Sequence, residues 1–600
     1  MFLRILFGLF FATSAFSISS SAYLEKFSNY RYWSAHLPPQ YNPQLVNFIN
    51  QPGPLAKKLR EKWLAFLGEK QNWPLIAQYY QPSNSTVIQC HVAFAYWHEH
   101  QTQKAIQIAT PLWLVGHQQP IACDRIFQVL NRQHDWRAKY RNRRIKLALD
   151  EKNLLLARQL LNHGGIFDKL ASDQFAKIHN QPEAITKLKH GPWHAEETLY
   201  ALKRMVLLNR SDTNVQKYYH LALSHQWLGD DQQQRFASFM SLYMAMRNKE
   251  QTISWFSKIR PQYYDESVLE WQMRYALLHQ RWARVKTMIL KMKKPLNSEQ
   301  TYWLARAELK LHQNELALKR LARLSKERSY YGFLASLQLR TPFSFQESAS
   351  CHNYQALRPY SPILNEIRQA YQQKYVGKAS QLINDFMLEL PRNQQCAMVD
   401  WVSNQLNWTS QAIFLSNQPH LFNQVSVRFP VKYVSIVQQQ SRYNHLNPEF
   451  VYSIIRQESA FHPEIVSPVG AKGLMQLMPR TANLISKRYH IRYKNEKDLF
   501  NGPKNIELGT RYLNDLNRSL KHPLLVAAAY NAGPQAAMNW VRTYPAPDIV
   551  TWIDTLPWKE TRNYLKNIVA FNVIYQHRLH KKVNIREVLK PLPGQNQRAI

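Results

Sequence analysis

One glutamate of the sequence has the spacing of a side chain on a buried helix face. In residues 451–458 the apolar residues and the glutamate fall at i, i+3, i+4 and i+7, in the order Val451, Ile454, Ile455 and Glu458. Burial disfavours a charged carboxylate and raises its pKa, and the negative end of the helix dipole acts in the same direction. A glutamate that is protonated near neutral pH is suited to general acid catalysis. The alternative is a helix-end glutamate that pairs with Arg456 or is capped locally.

Further polar groups follow in two short segments. Residues 467–479 contain a turn, two glycines three positions apart, an amide and two thioethers. The glycines would let the backbone approach a ligand closely, and Gln476 offers both a donor and an acceptor. An alanine-rich helix is then expected to end at Gly533, with Tyr530 and Asn531 on its last turn. We predict that these segments face the acid.

The composition favours helices as the elements that position these groups. The 600 residues include 16 glycines, which is about 2.7% against roughly 7% in average proteins. Scarce glycine disfavours sandwiches, propellers and doubly wound sheets, which turn often. The hydrophobic share of 45% and the charged share of 20% exclude a disordered or fibrous chain. We therefore predict an all-α protein.

The first half of the chain carries a degenerate helix-pair repeat. The pattern that starts at Trp271 and continues at Trp282 recurs loosely from Trp303 to Asn314, 32 residues later. An aromatic residue and alanines in one helix, followed by a short amphipathic helix, are typical of tetratricopeptide-like solenoids. Most of the tryptophans and tyrosines here are expected in the core. Shifts in composition divide the remaining chain, and they predict a superhelical domain over 23–357, a helical linker over 358–430 and a C-terminal domain over 431–600.

The first 22 residues have the pattern of a secretory signal peptide. Arg4 gives a positive start, residues 5–16 form an apolar run too short to span a bilayer, and residues 20–22 fit a small-residue cleavage site. A buried first helix is the alternative. No later segment approaches 18 consecutive apolar residues, so we expect an exported mature chain without stable membrane insertion.

The charge balance restricts the partners. The sequence contains 77 Lys and Arg residues against 40 Asp and Glu residues, a formal net charge of +37. Such an excess favours an anionic partner, for example an acidic wall polymer or a membrane surface. The excess is spread along the chain with no arginine-rich run and no nucleic-acid-binding signature, so nucleic acid is not predicted as a partner.

The cysteines and histidines favour disulfides over metal. Four cysteines are compatible with two disulfides. Pairing in sequence order would join Cys90 to Cys123 and Cys351 to Cys396, and two other connectivities remain open. The 22 histidines show no ligand spacing, and neither CxxC nor HExxH occurs. We predict no metal site and no cofactor.

Four ordered motifs resemble the catalytic domain of the lytic transglycosylases, goose-lysozyme-like enzymes that cleave the glycan strands of peptidoglycan. They are Glu458-Ser459, residues 467–479 with their Gly-Leu-Met-Gln, Ala529-Tyr-Asn-Ala-Gly533, and Glu560-Thr-Arg-x-Tyr564. The order of superhelix, linker and catalytic domain is similar to that of the large soluble periplasmic type. The resemblance implies a lysozyme-like α domain, a U-shaped or ring-forming superhelix, and the periplasm of a Gram-negative bacterium.

The resemblance also implies the roles of individual residues. Glu458 would be the sole catalytic acid and base, and six residues would line the sugar subsites: Ser467, Gln476, Met478, Tyr530, Asn531 and Glu560. Peptidoglycan strands would be the substrate, and other cell-wall enzymes would be peripheral partners.

The absence of a second carboxylate distinguishes ordinary glycoside hydrolysis from a reaction in which the substrate supplies the nucleophile. Ordinary glycosidases use two carboxyl groups, yet between Glu458 and Gly502 the only other acids are Glu464, Glu496 and Asp498, in polar surroundings typical of a surface. With one acid, the substrate must supply its own nucleophile. In the family this is implied to be the 2-acetamido group and then the 6-hydroxyl of the muramoyl sugar, which leaves a 1,6-anhydro ring. A hydrolase of the same fold and a non-catalytic wall-binding scaffold are the alternatives.

Overall fold

A computed structural model describes residues 20–348 and 353–592 of the chain. Within these ranges the chain is helical, and the β-structure is limited to two isolated bridges, Val466 with Lys472 and Lys472 with Leu477. The predicted all-α class is therefore confirmed. No helix in the described ranges is long and apolar enough to cross a membrane. Most of the predicted signal peptide, residues 1–22, lies outside the described residues.

Nineteen α-helices lie within the described residues 20–348. They are α1 (Ser20–Ala35), α2 (Pro43–Ile49), α3 (Pro54–Glu69), α4 (Trp73–Tyr79), α5 (Thr86–His98), α6 (Thr102–Trp113), α7 (Asp124–Arg132), α8 (His134–Asp150), α9 (Leu154–Asn162), α10 (Ile166–Asn180), α11 (His194–Leu207), α12 (Asp212–Ser224), α13 (Asp230–Met246), α14 (Thr252–Ser257), α15 (Glu266–Leu278), α16 (Trp282–Lys291), α17 (Ser298–Lys310), α18 (Asn314–Leu324) and α19 (Tyr330–Leu339).

Thirteen α-helices lie between residues 353 and 592. They are α20 (Ser361–Gln372), α21 (Val376–Met387), α22 (Arg392–Asn404), α23 (Thr409–Leu415), α24 (Val425–Arg428), α25 (Val434–Tyr443), α26 (Pro448–Ser459), α27 (Pro479–Arg488), α28 (Gly502–Leu520), α29 (Pro523–Ala532), α30 (Pro534–Thr543), α31 (Ile549–Thr555) and α32 (Lys559–Arg578).

The sequence repeat corresponds to two helix pairs. Helix α15 packs on α16, and α17 packs on α18. The repeated tryptophans, Trp271 in α15 and Trp303 in α17, are 7% and 0% exposed, so they are core residues as predicted. Each pair turns through a residue in the left-handed region, Gln280 at φ 53° and His312 at φ 60°. The interval of 32 residues therefore marks one helical hairpin of a solenoid.

The chain forms two compact units. Among the described residues, the first unit contains those up to 177 and 353–401, and the second contains 178–348 and 402–592. In the second unit, one apolar core runs without a break from α15–α19 to α25, α26, α29, α31 and α32. The predicted domain limits at residues 357 and 430 stay a prediction.

A disulfide lies in the core of the first unit. Cys90 is bonded to Cys123, and both cysteines are buried in a cluster with the indole rings of Trp113 and Trp136. This is the bond that pairing in sequence order predicts. Cys351 lies outside the described residues, so its pairing with Cys396 stays a prediction.

A buried charge network ties α31 and α32 to the hairpins of the second unit. Asp554 in α31 is fully buried and lies 2.5 Å from Lys566 Nζ of α32. Its other contacts are donors from α17 and α19, since Trp303 Nε1 and Tyr331 OH donate to its two oxygens at 2.7 and 2.8 Å. Lys566 also pairs with Glu299 of α17 at 2.7 Å. The N-terminal half of α32 is thus fixed to α17 and α19 by a largely buried network of charged and polar groups.

Neutralising Asp554 should destabilise the second unit. Asp554→Asn leaves the buried Lys566 ammonium with one carboxylate fewer, and breaking a buried ion pair on one side costs about 3 kcal/mol or more of the free energy of unfolding. Thermal unfolding of the purified chain measures this as a lowered midpoint. Glu315→Gln is the matched control, because its partner Lys319 is exposed and the pair lies on a helix surface. Equal midpoints for the two variants would show that the network contributes nothing to stability.

Candidate active site

Helix α26 places Glu458 at the edge of the core. The helix starts with a proline in its first turn, which suits that position, and it ends where Ala460 adopts a left-handed conformation. Val451, Ile454 and Ile455 are fully buried on the face that packs against α32. Glu458 continues this face one turn later and is partly exposed. Its carboxyl group therefore borders both the core and the solvent.

The surroundings of Glu458 favour the protonated carboxyl group. Burial raises the pKa of Glu458 to about 7, the negative charge of Glu560 acts in the same direction, and the hydrogen bond from Tyr564 acts against them. Tyr564 OH donates to Glu458 Oε1 at 2.7 Å. The alternative of a pair with Arg456 is not what the structure shows, because Arg456 Nε donates to the backbone oxygen of Arg428 at 2.7 Å. A carboxyl group with this pKa can both donate and accept a proton near neutral pH.

Residues 465–478, which include Gly470 and Gly473, form a tight loop whose Met475 backbone oxygen accepts a hydrogen bond from Tyr530. Gly473 has φ 79°, and a Cβ atom there would collide with the backbone oxygen of Leu499 and the amide of Asn505, so this position requires glycine. Ser467 Oγ accepts a hydrogen bond from the Ala471 backbone N–H at 2.9 Å. The hydroxyl of Ser467 therefore stabilises the turn.

Gln476 and Met478 present different groups from the same loop. The Gln476 side-chain Nε2 donates to the backbone oxygens of Ile465 and Gly473 at 3.2 and 2.9 Å. The amide nitrogen is thus used inside the loop, and no donor among the described residues contacts the Gln476 Oε1. Met478 precedes α27 and is 41% exposed, so its thioether offers an apolar surface to a ligand.

The end of α29 brings Tyr530 and Asn531 to this region. Tyr530 OH donates to the backbone oxygen of Met475 at 2.7 Å. Burial raises the pKa of Tyr530 well above its usual value, and the negative charge of Glu458 acts in the same direction. Asn531 Oδ1 accepts from Thr561 Oγ1 at 3.1 Å, and this contact ties α29 to the first turn of α32.

The first turns of α32 contribute Glu560 and Tyr564 to the site. Glu560 is exposed and close enough to act on the Glu458 carboxyl group. Tyr564 was not among the predicted site residues, although it ends the Glu560-Thr-Arg-x-Tyr564 motif. A spacing of four places both side chains on one helix face, and this spacing is the signal that could have identified Tyr564.

The acidic residues that follow Glu458 in sequence, Glu464, Glu496 and Asp498, do not provide a second catalytic carboxylate. Glu464 and Glu496 are exposed, and Glu496 pairs with Lys472 at 2.6 Å. Asp498 accepts the backbone N–H of Lys494 at 2.6 Å. Within the described residues, no group of three or more His, Cys, Asp or Glu side chains could hold a metal ion. The site therefore combines the Glu458 carboxyl group with the phenols of Tyr564 and Tyr530, and the exposed Glu560 is the other acid that acts on Glu458.

Two family models match the C-terminal part of the chain. Residues 435–553 match the Transglycosylase SLT domain, and residues 555–583 match the Soluble lytic transglycosylase helical domain. The soluble lytic murein transglycosylase of Escherichia coli K12 is 24% identical over 572 residues, which cover 92% of this chain and 87% of that protein.

Two solved structures share the fold over almost the whole chain. An inactive mutant of the lytic transglycosylase Slt from Pseudomonas aeruginosa superimposes with a TM-score of 0.76 at 24% identity, covering 94% of this chain and 93% of that one. The 70 kDa soluble lytic transglycosylase of Escherichia coli gives a TM-score of 0.69 at 23% identity, covering 95% and 94%. These structures confirm the predicted combination of a helical superhelix with a C-terminal lysozyme-like domain. By sequence and by fold, the chain is similar to the soluble lytic murein transglycosylases along nearly its whole length.

Proposed function

We propose that the chain is a lytic transglycosylase that cleaves the glycan strands of peptidoglycan in cell-wall turnover. The bond broken is the β-1,4 bond between N-acetylmuramic acid and N-acetylglucosamine, and the product ends in a 1,6-anhydro sugar. The observation that carries this proposal is the carboxyl group of Glu458, whose pKa is raised to about 7 and which accepts a hydrogen bond of 2.7 Å from Tyr564.

One carboxyl group is sufficient for this reaction. In the first step Glu458 gives its proton to the bridging oxygen, while the 2-acetamido oxygen of the muramoyl sugar attacks the anomeric carbon. In the second step the 6-hydroxyl oxygen displaces that acetamido oxygen and returns its proton to Glu458. The carboxyl group ends in its initial state, and no water is consumed. A pKa close to the working pH serves both steps.

The neighbouring residues support the reaction by contact with the sugars. Tyr530 lies beside the acid and would stabilise the positive charge that develops at the anomeric carbon. The exposed thioether of Met478 would pack against a sugar face. Asn531 and Glu560 would bind hydroxyl or acetamido groups beside α32, and Gln476 would do so through Oε1. Ser467 would contribute through the turn that it stabilises.

The cellular location of the protein is part of the same proposal. Peptidoglycan of a Gram-negative bacterium lies in the periplasm, and the N-terminal pattern of Arg4, an apolar run and small residues up to Ala22 supports export. The superhelical domain over 23–357 and the linker over 358–430 would hold the anionic wall through their share of the positive charge that is spread along the whole chain. Other cell-wall enzymes would associate with it peripherally.

Replacing the acid should abolish cleavage. Glu458→Gln keeps the shape of the side chain but cannot transfer a proton, and general acid–base catalysis contributes about 10²–10⁴-fold. Release of soluble fragments from purified sacculi should fall by at least about a hundredfold, and intact-mass analysis of wild-type products should show ends lighter by one water than hydrolysed ends. Hydrolysed ends would favour the hydrolase instead. Equal release by the variant and the wild type would remove Glu458 from the reaction.

The pH dependence should report the state of Glu458. The carboxyl group must be protonated to start the reaction, so kcat/KM should fall as the pH rises through about 7. Tyr564→Phe removes a hydrogen bond that stabilises the ionised form, and the pKa of the carboxyl group should rise. The alkaline limb of the profile should therefore move to higher pH in this variant. A shift to lower pH, or no shift, would contradict the hydrogen bond assigned between Tyr564 and Glu458. Tyr443→Phe is the control, since Tyr443 is an exposed tyrosine.

A further inference from the structure

A cavity of about 440 Å³ lies in the second unit, between α14, α15 and the start of α16. Its volume is in the range of small-molecule sites. None of the residues of the candidate active site lines it. The side chains that the argument uses are Phe256, Tyr264, Gln272, Tyr275, Arg281 and Arg284.

The cavity lies on the side of α15 that faces away from α31. Helix α15 packs on α31, and Arg274 Nη1 donates to the backbone oxygen of Asp554 there. Gln272 precedes Arg274 by two residues, which is about 200° around the helix. The cavity that Gln272 lines is therefore a separate place from the site of Glu458, although both belong to the same unit.

The buried part of the lining is uncharged. Phe256, Gln272 and Tyr275 are all buried, whereas Arg281 and Arg284 are exposed at the rim. Among the described residues that line the cavity there is no carboxylate. Because water reaches both guanidinium groups, their charges do not require an anionic ligand. The buried lining is therefore suited to a neutral ligand.

Gln272 brings an amide donor without a partner to this lining. Its side chain is 3% exposed, and its Oε1 accepts a hydrogen bond from Arg284 Nη2. The Nε2 has no acceptor among the described residues. Buried polar groups are rarely left unpaired, because the loss of their contact with water costs free energy. A ligand that brings a carbonyl or hydroxyl oxygen to Nε2 would recover that cost.

Three aromatic rings, those of Phe256, Tyr264 and Tyr275, provide the apolar surface of the cavity. The Tyr275 hydroxyl donates to the backbone oxygen of Lys249 at 3.5 Å, so Tyr275 offers its ring to a ligand. Tyr264 is half-buried and lies between the buried lining and the rim. Aromatic rings bury large apolar areas, and the C–H faces of a sugar ring are apolar surfaces that can pack on them.

We propose that this cavity is a second saccharide site, which binds an N-acetylated sugar of the glycan strand away from the bond that is cleaved. The inference rests on the proposed function, because it takes the strand as the ligand. An acetamido group carries an apolar methyl group beside a carbonyl oxygen, and the buried lining offers aromatic rings beside one unpaired amide donor. A ligand carboxylate would find its only opposite charges at the exposed rim, where water weakens the attraction.

A second site of this kind would slow the release of long strands. A strand that is held both here and at Glu458 rebinds at one site while it remains attached at the other, so its overall affinity exceeds that of either site. Short fragments that reach only one site would not gain this affinity.

The test titrates triacetylchitotriose, the trimer of N-acetylglucosamine, into the full chain and follows hydrogen–deuterium exchange by mass spectrometry. The method reads residues 252–284 separately from the segments around Glu458. Exchange in 252–284 should slow in a saturable manner. Gln272→Leu removes the donor and Tyr264→Ala removes a ring, and each should raise the half-saturating concentration for this segment about tenfold. The response around Glu458 should stay unchanged.

Controls separate sugar binding from folding. Tyr264→Phe keeps the ring and should bind as the wild type does, which a loss of local structure would not predict. Tyr375→Ala changes an exposed tyrosine of the first unit and should have no effect on this segment. Exchange without sugar shows whether Gln272→Leu keeps the native packing. Maltotriose, a neutral trisaccharide without acetamido groups, should bind at least about tenfold more weakly, since it offers no acetamido carbonyl to Nε2.

Three results would overturn the inference: no protection of 252–284 by the acetylated trimer, equal half-saturation in the wild type and both variants, or equal binding of maltotriose. Each can occur in an enzyme that still forms anhydro ends, so the proposed function would survive them. A wild type that shows the protection but forms no anhydro ends would instead remove the proposed function and leave the saccharide site in place.

Discussion

The packing of α26 against α32 is the constraint on which the site depends. It buries the apolar face of Val451, Ile454 and Ile455 and leaves the next position of that face, Glu458, at the boundary of the core. A carboxyl group in that place has one hydrogen-bond donor, Tyr564, and no cationic partner within the described residues. A cation in contact would have kept the pKa low. Glu458 can act as an acid near neutral pH because the hydrogen bond from Tyr564 offsets only part of the rise in pKa that burial causes.

The same helix α32 is held from its opposite side. Lys566 follows Tyr564 by two residues, which is about 200° around the helix, and it pairs with Asp554 and Glu299 in the core of the second unit. Trp303 and Tyr331, from α17 and α19, complete the shell around Asp554. The helical hairpins that the tryptophan repeat predicts therefore support α32, the helix whose Tyr564 contacts Glu458.

Local patterns predicted much of the fold and part of the site. Helical spacing placed Glu458 on the buried face of α26, and the 32-residue interval located two hairpins, because both depend on neighbours in sequence. Sequence could not show that Ser467 Oγ and Gln476 Nε2 are engaged within their own loop, since this depends on backbone geometry. Nor could it show the unpartnered amide nitrogen of Gln272 in the cavity beside α15, which depends on how three helices pack together.

The protonation state of Glu458 in the free protein is the central claim, and infrared spectroscopy measures it directly. The difference between wild type and Glu458→Gln, followed from pH 4 to pH 9, isolates the carboxyl band of this one side chain. A midpoint near pH 7 is expected from burial of the group. A midpoint near 4.3, the ordinary value for glutamate, would show that the group is ionised at neutral pH and would contradict its role as the proton donor.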